Sequence, residues 1–443
     1  MNILVVGGGA REHAICDAVC RSNGITLYSV MSNLNPGIQK LSKDFLQEKE
    51  TNVEKIVNYA KEKEIDLTII GPEAPLEVGI VNELNKAGIK VCSPTKEAAR
   101  IETDKEWMRN LLKKYKIPGQ LKCETFTDIK KAKKFIDDLN GEVAIKPIGL
   151  TGGKGVKVSG DHFNGTSEAI VYVKDVIEKK IGGKAKVLIE EKAIGEEVTL
   201  QAFSDGKTIM PLHAVQDHKR LLPDDKGVNT GGMGSYSCAD GLLPFLTKSD
   251  YEEGAAILQK IIEALNKEDC RYIGPIYGQF MLTAEGPKII EINARFGDPE
   301  VMNVLPLLET DFVEICNSML QGNLSIKKLQ LKKKSTVCKY VVPEGYGIKS
   351  MVGETIIVNE KEIESTGSKL FYAAVNKEND FVKTTSSRSL AVVGISDTIE
   401  NAEIACEKGL SFVKSDHIFI RHDIGTSCLI QKRIKHMSYI RGM

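Results

Sequence analysis

Between Tyr277 and Pro299 the chain reads as strand, tight turn, strand and polar loop, and this hairpin constrains the fold more than any other stretch. Side chains alternate along a strand, so Glu291 and Asn293 share one face while Ile290 and Ile292 are expected in the core. With the turn centred on Glu285-Gly286, Gln279 falls across from the Glu291 to Asn293 region, and three oxygen-bearing side chains converge. Such donors suit Mg²⁺ or Mn²⁺. Gln279, Glu291 and Asn293 carry only one formal charge between them, so phosphate oxygens and water are expected to complete the shell of a metal that arrives with ATP. Taken alone, Glu-x-Asn is more often a solvated strand face, and the rest of the chain must decide.

The amino terminus is an apolar run, Ile3 to Val6, then Gly7-Gly8-Gly9, then helical periodicity from Arg11 to Val19. Backbone N–H groups at such a helix start form an anion site, with Gly8 and Gly9 as candidates. A dinucleotide fold would need glycine where Glu12 stands and an acidic residue after the second strand, where Tyr28-Ser29-Val30-Met31-Ser32-Asn33 has none, so NAD binding is disfavoured. Residues 53–63 read as a helix and 66–70 as a strand running into Gly71-Pro72-Glu73-Ala74-Pro75-Leu76; residues 77–87 and Val91-Cys92 repeat the unit. Parallel units of this kind set the two loops side by side at a topological switch point. Ser93-Pro94-Thr95 is expected to cap one helical region running through Lys105 to Lys116.

Val143-Ala144-Ile145-Lys146-Pro147 is a strand, residues 148–155 a glycine-rich loop and Val156-Lys157-Val158 a returning strand. Strand–loop–strand is not a Walker P-loop, and the glycine spacing is one residue short. A flap over phosphates remains, with Lys146 as a fixed charge beneath it. A strand from 186 to 190 enters an acidic hinge, Glu191-Lys192-Ala193-Ile194-Gly195-Glu196-Glu197. Further on, Gln216-Asp217-His218-Lys219-Arg220 and Asn229-Thr230-Gly231-Gly232-Met233-Gly234 offer charges of both signs and a second glycine nest, which suits a zwitterionic amino acid beside a phosphate. His218 is as easily a packed histidine and receives no acid–base role. An amphipathic helix is expected from 311 to 321, a solvated boundary at Lys332-Lys333-Lys334, and an α+β tail with strands at 336–342, 354–358, 371–375 and 390–393 and a helix from 398 to 413.

These strings resemble ATP-grasp ligases, and most closely the phosphoribosylamine–glycine ligase family, also called glycinamide ribonucleotide synthetases. The resemblance rests on the string from Ile290 to Glu300, on G-x-G-x-R-E-H-A at Gly7 to Ala14, and on G-P-E-x-P-L at Gly71 to Leu76. It rests further on S-P-T followed by Lys105 and K-I-P, and on Q-D-H-K-R followed by N-T-G-G-M-G. It implies a multidomain α/β and α+β protein: a Rossmann-like substrate domain over 1–103, an ATP-grasp domain over 104–330 with its flap at about 121–192, and a small α+β domain over 331–443.

By the same resemblance, ATP is held by Lys105, Lys146, Gly152, Gly153, Lys154 and Gly155. Glu190 accepts from the adenine amino group, the Lys192 and Ala193 backbone pairs with the ring, and Glu197 takes the ribose hydroxyls. Gly8, Gly9 and Glu73 hold phosphoribosylamine; Asp217 meets the glycine ammonium and Lys219 and Arg220 a phosphate. Asn229, Thr230, Gly231, Arg295, Gly297 and Asp298 complete the substrate set, Arg295, Lys154 and Lys146 are catalytic, and Gln279, Glu291 and Asn293 bind Mg²⁺ or Mn²⁺. The implied reaction joins glycine to 5-phosphoribosylamine at the expense of ATP, through glycyl phosphate. The family commonly has Ala-Asp where Pro147-Ile148 stand, so any role of that aspartate is unfilled here. No cyclo-ligase or transformylase pattern follows, which implies the monofunctional form.

Sixty basic and 60 acidic residues cancel, so nothing draws the whole chain to nucleic acid or an anionic membrane, and no run of 18 apolar residues offers a span. The partners expected are therefore small molecules, the compartment the cytoplasm, and the assembly a monomer or weak homodimer. Ten cysteines without a C-x-x-C pair read as reduced thiols. Two rivals share parts of this pattern: an ATP-grasp ligase or carboxylase for another carboxylate, and a nucleotide sensor without turnover.

Overall fold

The computed structural model describes residues 1–149, 155–379 and 381–442. At the amino end five parallel strands lie in the order Asp44–Gln47, Thr26–Met31, Asn2–Val6, Leu67–Ile70 and Lys90–Val91. Ile3, Leu4, Val5 and Val6 are all fully buried, as expected of a parallel strand covered on both faces. The strand order reverses at Asn2–Val6, and the Gly71 N–H donates to the Val6 carbonyl at 2.9 Å, so the two loops meet at the switch point. Two helical stretches divide where one was expected. Gly79, at φ 89°, separates Glu73–Val78 from Ile80–Lys86. Asp104 leaves helical geometry and caps Lys105–Lys114 by accepting from the Trp107 N–H at 3.0 Å, which ends Lys96–Thr103 and sets Lys105 at a helix start.

Two antiparallel sheets follow. The first orders Cys123–Phe126, Val187–Glu191, Val143–Pro147 and Lys157–Val158, and with the helices Ile129–Asp138 and Gly165–Glu178 it closes a small core of its own around Ile136, Ile145, Val173 and Ile189. The second orders Ile209–Pro211, Glu196–Asp205, Ile273–Thr283 and Gly286–Asn293. Leu200, Phe280, Ile289 and Ile292 form its apolar face, packed in one core with Ile257, Leu258 and Ile261 of the helix Lys248–Lys267. Full burial of each such side chain stabilises the fold by about 1.5–3 kcal/mol.

The hairpin register corrects the sequence reading in one respect. Ala284 and Glu285 form the turn, because Thr283 pairs with Gly286, and a regular ladder would then set Gln279 against Ile290. A β-bulge at Ile290 adds one residue, so Gln279 pairs with Glu291 and Tyr277 with Asn293. Ile289, fully buried, therefore takes the core position expected of Ile290, which is only part-buried.

A third sheet orders Gln216–Asp217, Gly234–Ser237, Ser335–Pro343, Leu390–Ser396 and Ser368–Tyr372, with Ile418–Ile420 paired to Ser335–Pro343. Its hydrogen bonds thus join the central stretch that holds the Gln216 to Gly234 motifs to the carboxyl-terminal strands. Asp311 caps the helix Phe312–Gln321, and Ile399–Leu410 packs on the third sheet. The last helix, Ser427–Arg441, escaped the sequence reading because it buries only Leu429, Ile430 and Met437; ion pairs hold it, Arg433 to Glu196 at 3.0 Å and Arg441 to Asp250 at 2.8 Å. All ten cysteines are free thiols, and among the described residues no helix is long and apolar enough to cross a membrane.

Candidate active site

Residues directly opposite in an antiparallel ladder share a face. Glu197, Thr199 and Gln201 therefore lie beside Met281, Gln279 and Tyr277, and those beside Lys288, Glu291 and Asn293 in turn, on the face away from the core. The Gln279 amide donates to Glu197 Oε2 at 2.6 Å, and the Asn293 amide approaches Glu291 Oε1 at 3.4 Å. Burial pushes the Glu291 carboxyl up, but Lys219, Lys146 and Lys105 together outweigh it and hold the group below the ordinary carboxylate range. One anion and two amide oxygens on a rigid strand pair form a hard-oxygen donor set, which fits Mg²⁺ or Mn²⁺. Among the described residues no group of three His, Cys, Asp or Glu side chains offers an alternative.

The lysines reach this face from the first sheet and the helix beside it. Lys146 Nζ lies 2.6 Å from Glu190 Oε2 and donates to the Ile290 carbonyl at 3.1 Å. Arg109, which carried no signal in the sequence, donates to Glu190 Oε1 at 2.6 Å and to the Ile289 carbonyl at 2.9 Å. Glu190, expected to accept from an adenine amino group, is almost wholly buried with both oxygens against cations, and its carboxylate anchors Lys146. Lys105 Nζ donates to the Gly149 carbonyl at 2.7 Å, and the Gly155 carbonyl accepts from the Tyr172 hydroxyl at 2.7 Å. Gly152, Gly153 and Lys154 lie outside the described residues. At the hinge the Lys192 N–H already serves the Glu142 carbonyl at 3.0 Å, which removes that donor from any base and leaves the Ala193 N–H and the Lys192 carbonyl. A cavity of about 380 Å³ opens there, bounded by Lys192, Ala193, Ile194, Lys288 and, unforeseen, Ile440 of the last helix.

Arg295 links this face to the parallel sheet. Its guanidinium lies 3.0 Å from Glu102 Oε1, 3.4 Å from Glu73 Oε2 and 3.3 Å from Asn293 Oδ1. Burial pushes the Glu73 carboxyl up, but Arg295 and Arg11 outweigh it and bring it to about 2. Burial pushes Glu102 up to about 7, against Arg295 and with Glu73 adding; its second oxygen accepts from the Ala294 N–H at 2.6 Å. A carboxyl whose value in the fold exceeds its ordinary 4.5 contributes stability that is fully present below pH 4.5 and is lost as pH rises through about 7. Glu102→Gln, neutral throughout, is expected to flatten the fall in melting temperature between about pH 5 and pH 7; an equally steep fall would contradict this.

At the switch point the chain's own side chains occupy the groups expected to cradle a phosphate. The Gly9 N–H donates to Glu12 Oε2 at 2.7 Å, and Glu12 Oε1 pairs with Arg11 at 2.6 Å. A Cβ on Gly71 would stand 2.0 Å from Glu12 Oε1, so glycine there makes room for the chain's own carboxylate. Glu12 thus takes the Gly9 N–H expected for substrate, and Gly8 is bound through its carbonyl by the Asn33 and Asn35 amides at 3.2 and 3.0 Å.

The remaining residues lie where the second and third sheets meet. Lys219 Nζ is 3.4 Å from Glu197 and 3.9 Å from Asp217. Burial lowers the Lys219 ammonium, but Glu197, Asp217, Glu291 and Glu300 outweigh it and raise it above the ordinary lysine range. Asp217 and Glu300 are both pushed up by burial, so this corner is short of positive charge. Glu300, quoted in the sequence motif without a role, accepts from the Tyr277 hydroxyl at 2.8 Å. Arg220 is not part of this cluster: it pairs with Asp161 and donates to the Gly227 carbonyl at 2.9 Å. His218 is buried against Asp225 at 3.2 Å, and burial lowers its imidazole, as a packed neutral histidine requires. Asn229 pairs with Arg220 in a two-stranded ribbon, and Thr230 is tied to the Lys219 carbonyl by N–H and hydroxyl, both at 2.8 Å. The Gly297 N–H donates to Gln201 at 2.8 Å, while Gly231 and Asp298 are both held by Arg388, which had no signal in the sequence.

A lysine-bearing sheet hinged onto a second sheet whose open face carries oxygen-bearing side chains is the arrangement of an ATP-grasp protein. Residues 103–301 match the family model for the phosphoribosylglycinamide synthetase ATP-grasp (A) domain, residues 1–102 its N domain and residues 336–427 its C domain. The chain belongs to the phosphoribosylamine–glycine ligase family. The phosphoribosylamine–glycine ligase of Methanothermobacter thermautotrophicus is 52% identical over 442 residues, covering 100% of both chains. That of Methanocaldococcus jannaschii is 47% identical over 445 residues, also covering 100% of both. The crystal structure of phosphoribosylamine–glycine ligase from Thermotoga maritima superposes with a TM-score of 0.81 at 26% identity, over 96% of this chain and 100% of that one. The biotin carboxylase domain of Hydrogenobacter thermophilus 2-oxoglutarate carboxylase, solved with MgADP, shares the fold at a TM-score of 0.74 and 15% identity, over 100% of this chain and 95% of that one.

Proposed function

We propose that this protein ligates glycine to 5-phosphoribosylamine with cleavage of ATP, giving glycinamide ribonucleotide, ADP and phosphate through glycyl phosphate, a step of purine synthesis. The observation that carries this reading is Arg295. It stands within 3.4 Å of Glu73, the first residue of a helix at the switch point, and 3.3 Å of Asn293 on the hairpin, so one cation serves both the amine-substrate end of the parallel sheet and the nucleotide face.

In this reading adenine enters the cavity at Lys192, Ala193 and Ile194, and Glu197 takes the ribose hydroxyls. Lys105 and Lys146 neutralise phosphate oxygens together with Gly152, Gly153, Lys154 and Gly155 of the flap. Gln279, Glu291 and Asn293 would hold Mg²⁺ or Mn²⁺, which when bound supplies positive charge against the triphosphate. A glycine carboxylate and a γ-phosphate oxygen 4 Å apart repel by roughly 4 kcal/mol at an effective dielectric near 20, so their meeting requires this density of cations.

Asp217 pairs with the glycine ammonium, whose charge restores the ionisation that burial opposes. Lys219 and Arg295 flank the reacting carboxylate and the departing phosphate. Glu73, with Gly8 and Gly9 nearby, orients the phosphoribosylamine amine for attack on the acyl carbon. Arg220, Asn229, Thr230, Gly231, Gly297 and Asp298 shape the wall between the substrates, and closure of the flap excludes the water that would hydrolyse the acyl phosphate. The protein works on small molecules, without nucleic acid or membrane, as a cytoplasmic monomer or weak homodimer. The test is ADP release from ATP and freshly prepared phosphoribosylamine, with and without glycine. Release that requires glycine supports the assignment. Release driven by bicarbonate or another carboxylate, or ATP binding without turnover, overturns it.

A further inference from the structure

We infer that Arg388, supplied by the carboxyl-terminal strands, is a positioning residue that fixes the spacing of the two loops flanking the amino-acid site. Arg388 lies in the turn between Phe381–Thr384 and Leu390–Ser396. Its Nη1 donates to the carbonyls of Gly231 at 2.7 Å, Gly232 at 3.1 Å and Asp298 at 3.0 Å, and its Nη2 lies 3.0 Å from Asp298 Oδ2. The guanidinium stacks 4.4 Å from the Tyr340 ring centre, and the Tyr340 hydroxyl donates to the other Asp298 oxygen.

One planar fork therefore holds the glycine nest and the loop that follows the hairpin at once. The loops touch directly as well: Gly232, at φ +107°, leaves no room for a Cβ, which would stand 2.7 Å from Pro299 Cδ. Each loop is joined to a charged group of the site, one by a hydrogen bond and the other along the chain. Thr230 is tied to the Lys219 carbonyl at 2.8 Å, and Asp298 lies three residues beyond Arg295. A displacement of either loop moves Lys219 relative to Arg295. The second nitrogen explains the residue type: Nη1 serves the carbonyls while Nη2 meets the Asp298 carboxylate, and a lysine ammonium has neither that second nitrogen nor a plane to stack on Tyr340.

The inference rests on the functional reading in placing glycine between these loops, and the test separates the two. Arg388→Ala is expected to lower kcat/KM for glycine about 100-fold while KM for ATP stays within about twofold, because the nucleotide elements lie on the hinge and flap. Arg388→Lys should recover less than about tenfold of that loss. Amide hydrogen exchange in Arg388→Ala should speed up at residues 229–234 and 295–299 together, without acceleration in the parallel sheet. Unchanged glycine kinetics in the folded variant, an equal rise in KM for ATP, or wild-type exchange in either loop would each overturn the clamp. If the unsubstituted protein releases no ADP in response to glycine, the functional reading fails, and the exchange pattern alone still decides the role of Arg388.

Discussion

Replacing Glu291 with alanine is expected to abolish ADP formation, a loss of more than about 10³-fold, in a protein that still folds and unfolds cooperatively. Glu291 is the one carboxylate among the three side chains proposed to hold the metal on the hairpin face. Lys219, Lys146 and Lys105 all act on it strongly enough to keep it ionised despite burial. Without it, the two amides left are neutral, and three ammonium groups lose a shared counter-ion just where a cation must settle. The fold itself does not depend on the side chain, because the hairpin is held by Phe280, Ile289 and Ile292 on its other face. A coupled assay for ADP alongside thermal unfolding checks both halves, and turnover near the unsubstituted rate would contradict the metal site.

The second large effect is expected at Arg295. Arg295→Ala should reduce kcat by about 10²–10³-fold, with KM changing less, as its proposed role against the charge that develops during phosphoryl transfer requires. The same substitution leaves Glu73 and Glu102 buried without their common partner, and stability should fall by about 3–5 kcal/mol, the usual cost of breaking a buried pair. Arg295→Lys should not restore the rate, since one ammonium cannot reach Glu102, Glu73 and the Phe296 carbonyl together. Initial rates per folded molecule, measured below the melting range, separate the two effects. A rise in KM alone would reduce Arg295 to a binding residue.

Local pattern made much of this molecule legible. The apolar runs at Ile3 to Val6 and at Leu67–Ile70 announce parallel strands, and the glycine-rich and Gly-Pro turns after them announce the switch point. Gln279, Glu291 and Asn293 were readable as one face because a strand has a period of two, yet the register that brings them together depends on the bulge at Ile290. No residue type at that position signals an extra residue; what selects it is the core, which takes Ile289 in place of Ile290.

What sequence could not show is pairing across long separations. Glu190 looks like a hydrogen-bond acceptor for a ligand until Arg109 and Lys146 are seen on its two oxygens, and the Gly9 N–H looks vacant until Glu12 folds back onto it. Glu102 and Arg388 are an ordinary helix residue and an ordinary turn residue in one dimension. They gain roles only because they fold against residues 192 and 157 positions away in the chain.

The most direct test of the account is a crystal structure with Mn²⁺ and a non-hydrolysable ATP analogue, using the anomalous signal of the metal to locate it. A peak is expected within coordination distance, about 2.0–2.4 Å, of Glu291 with Gln279 or Asn293 and of the analogue's phosphate oxygens, with the adenine beside Ala193. A peak elsewhere, or triphosphate density away from Lys146 and the hairpin face, would contradict it.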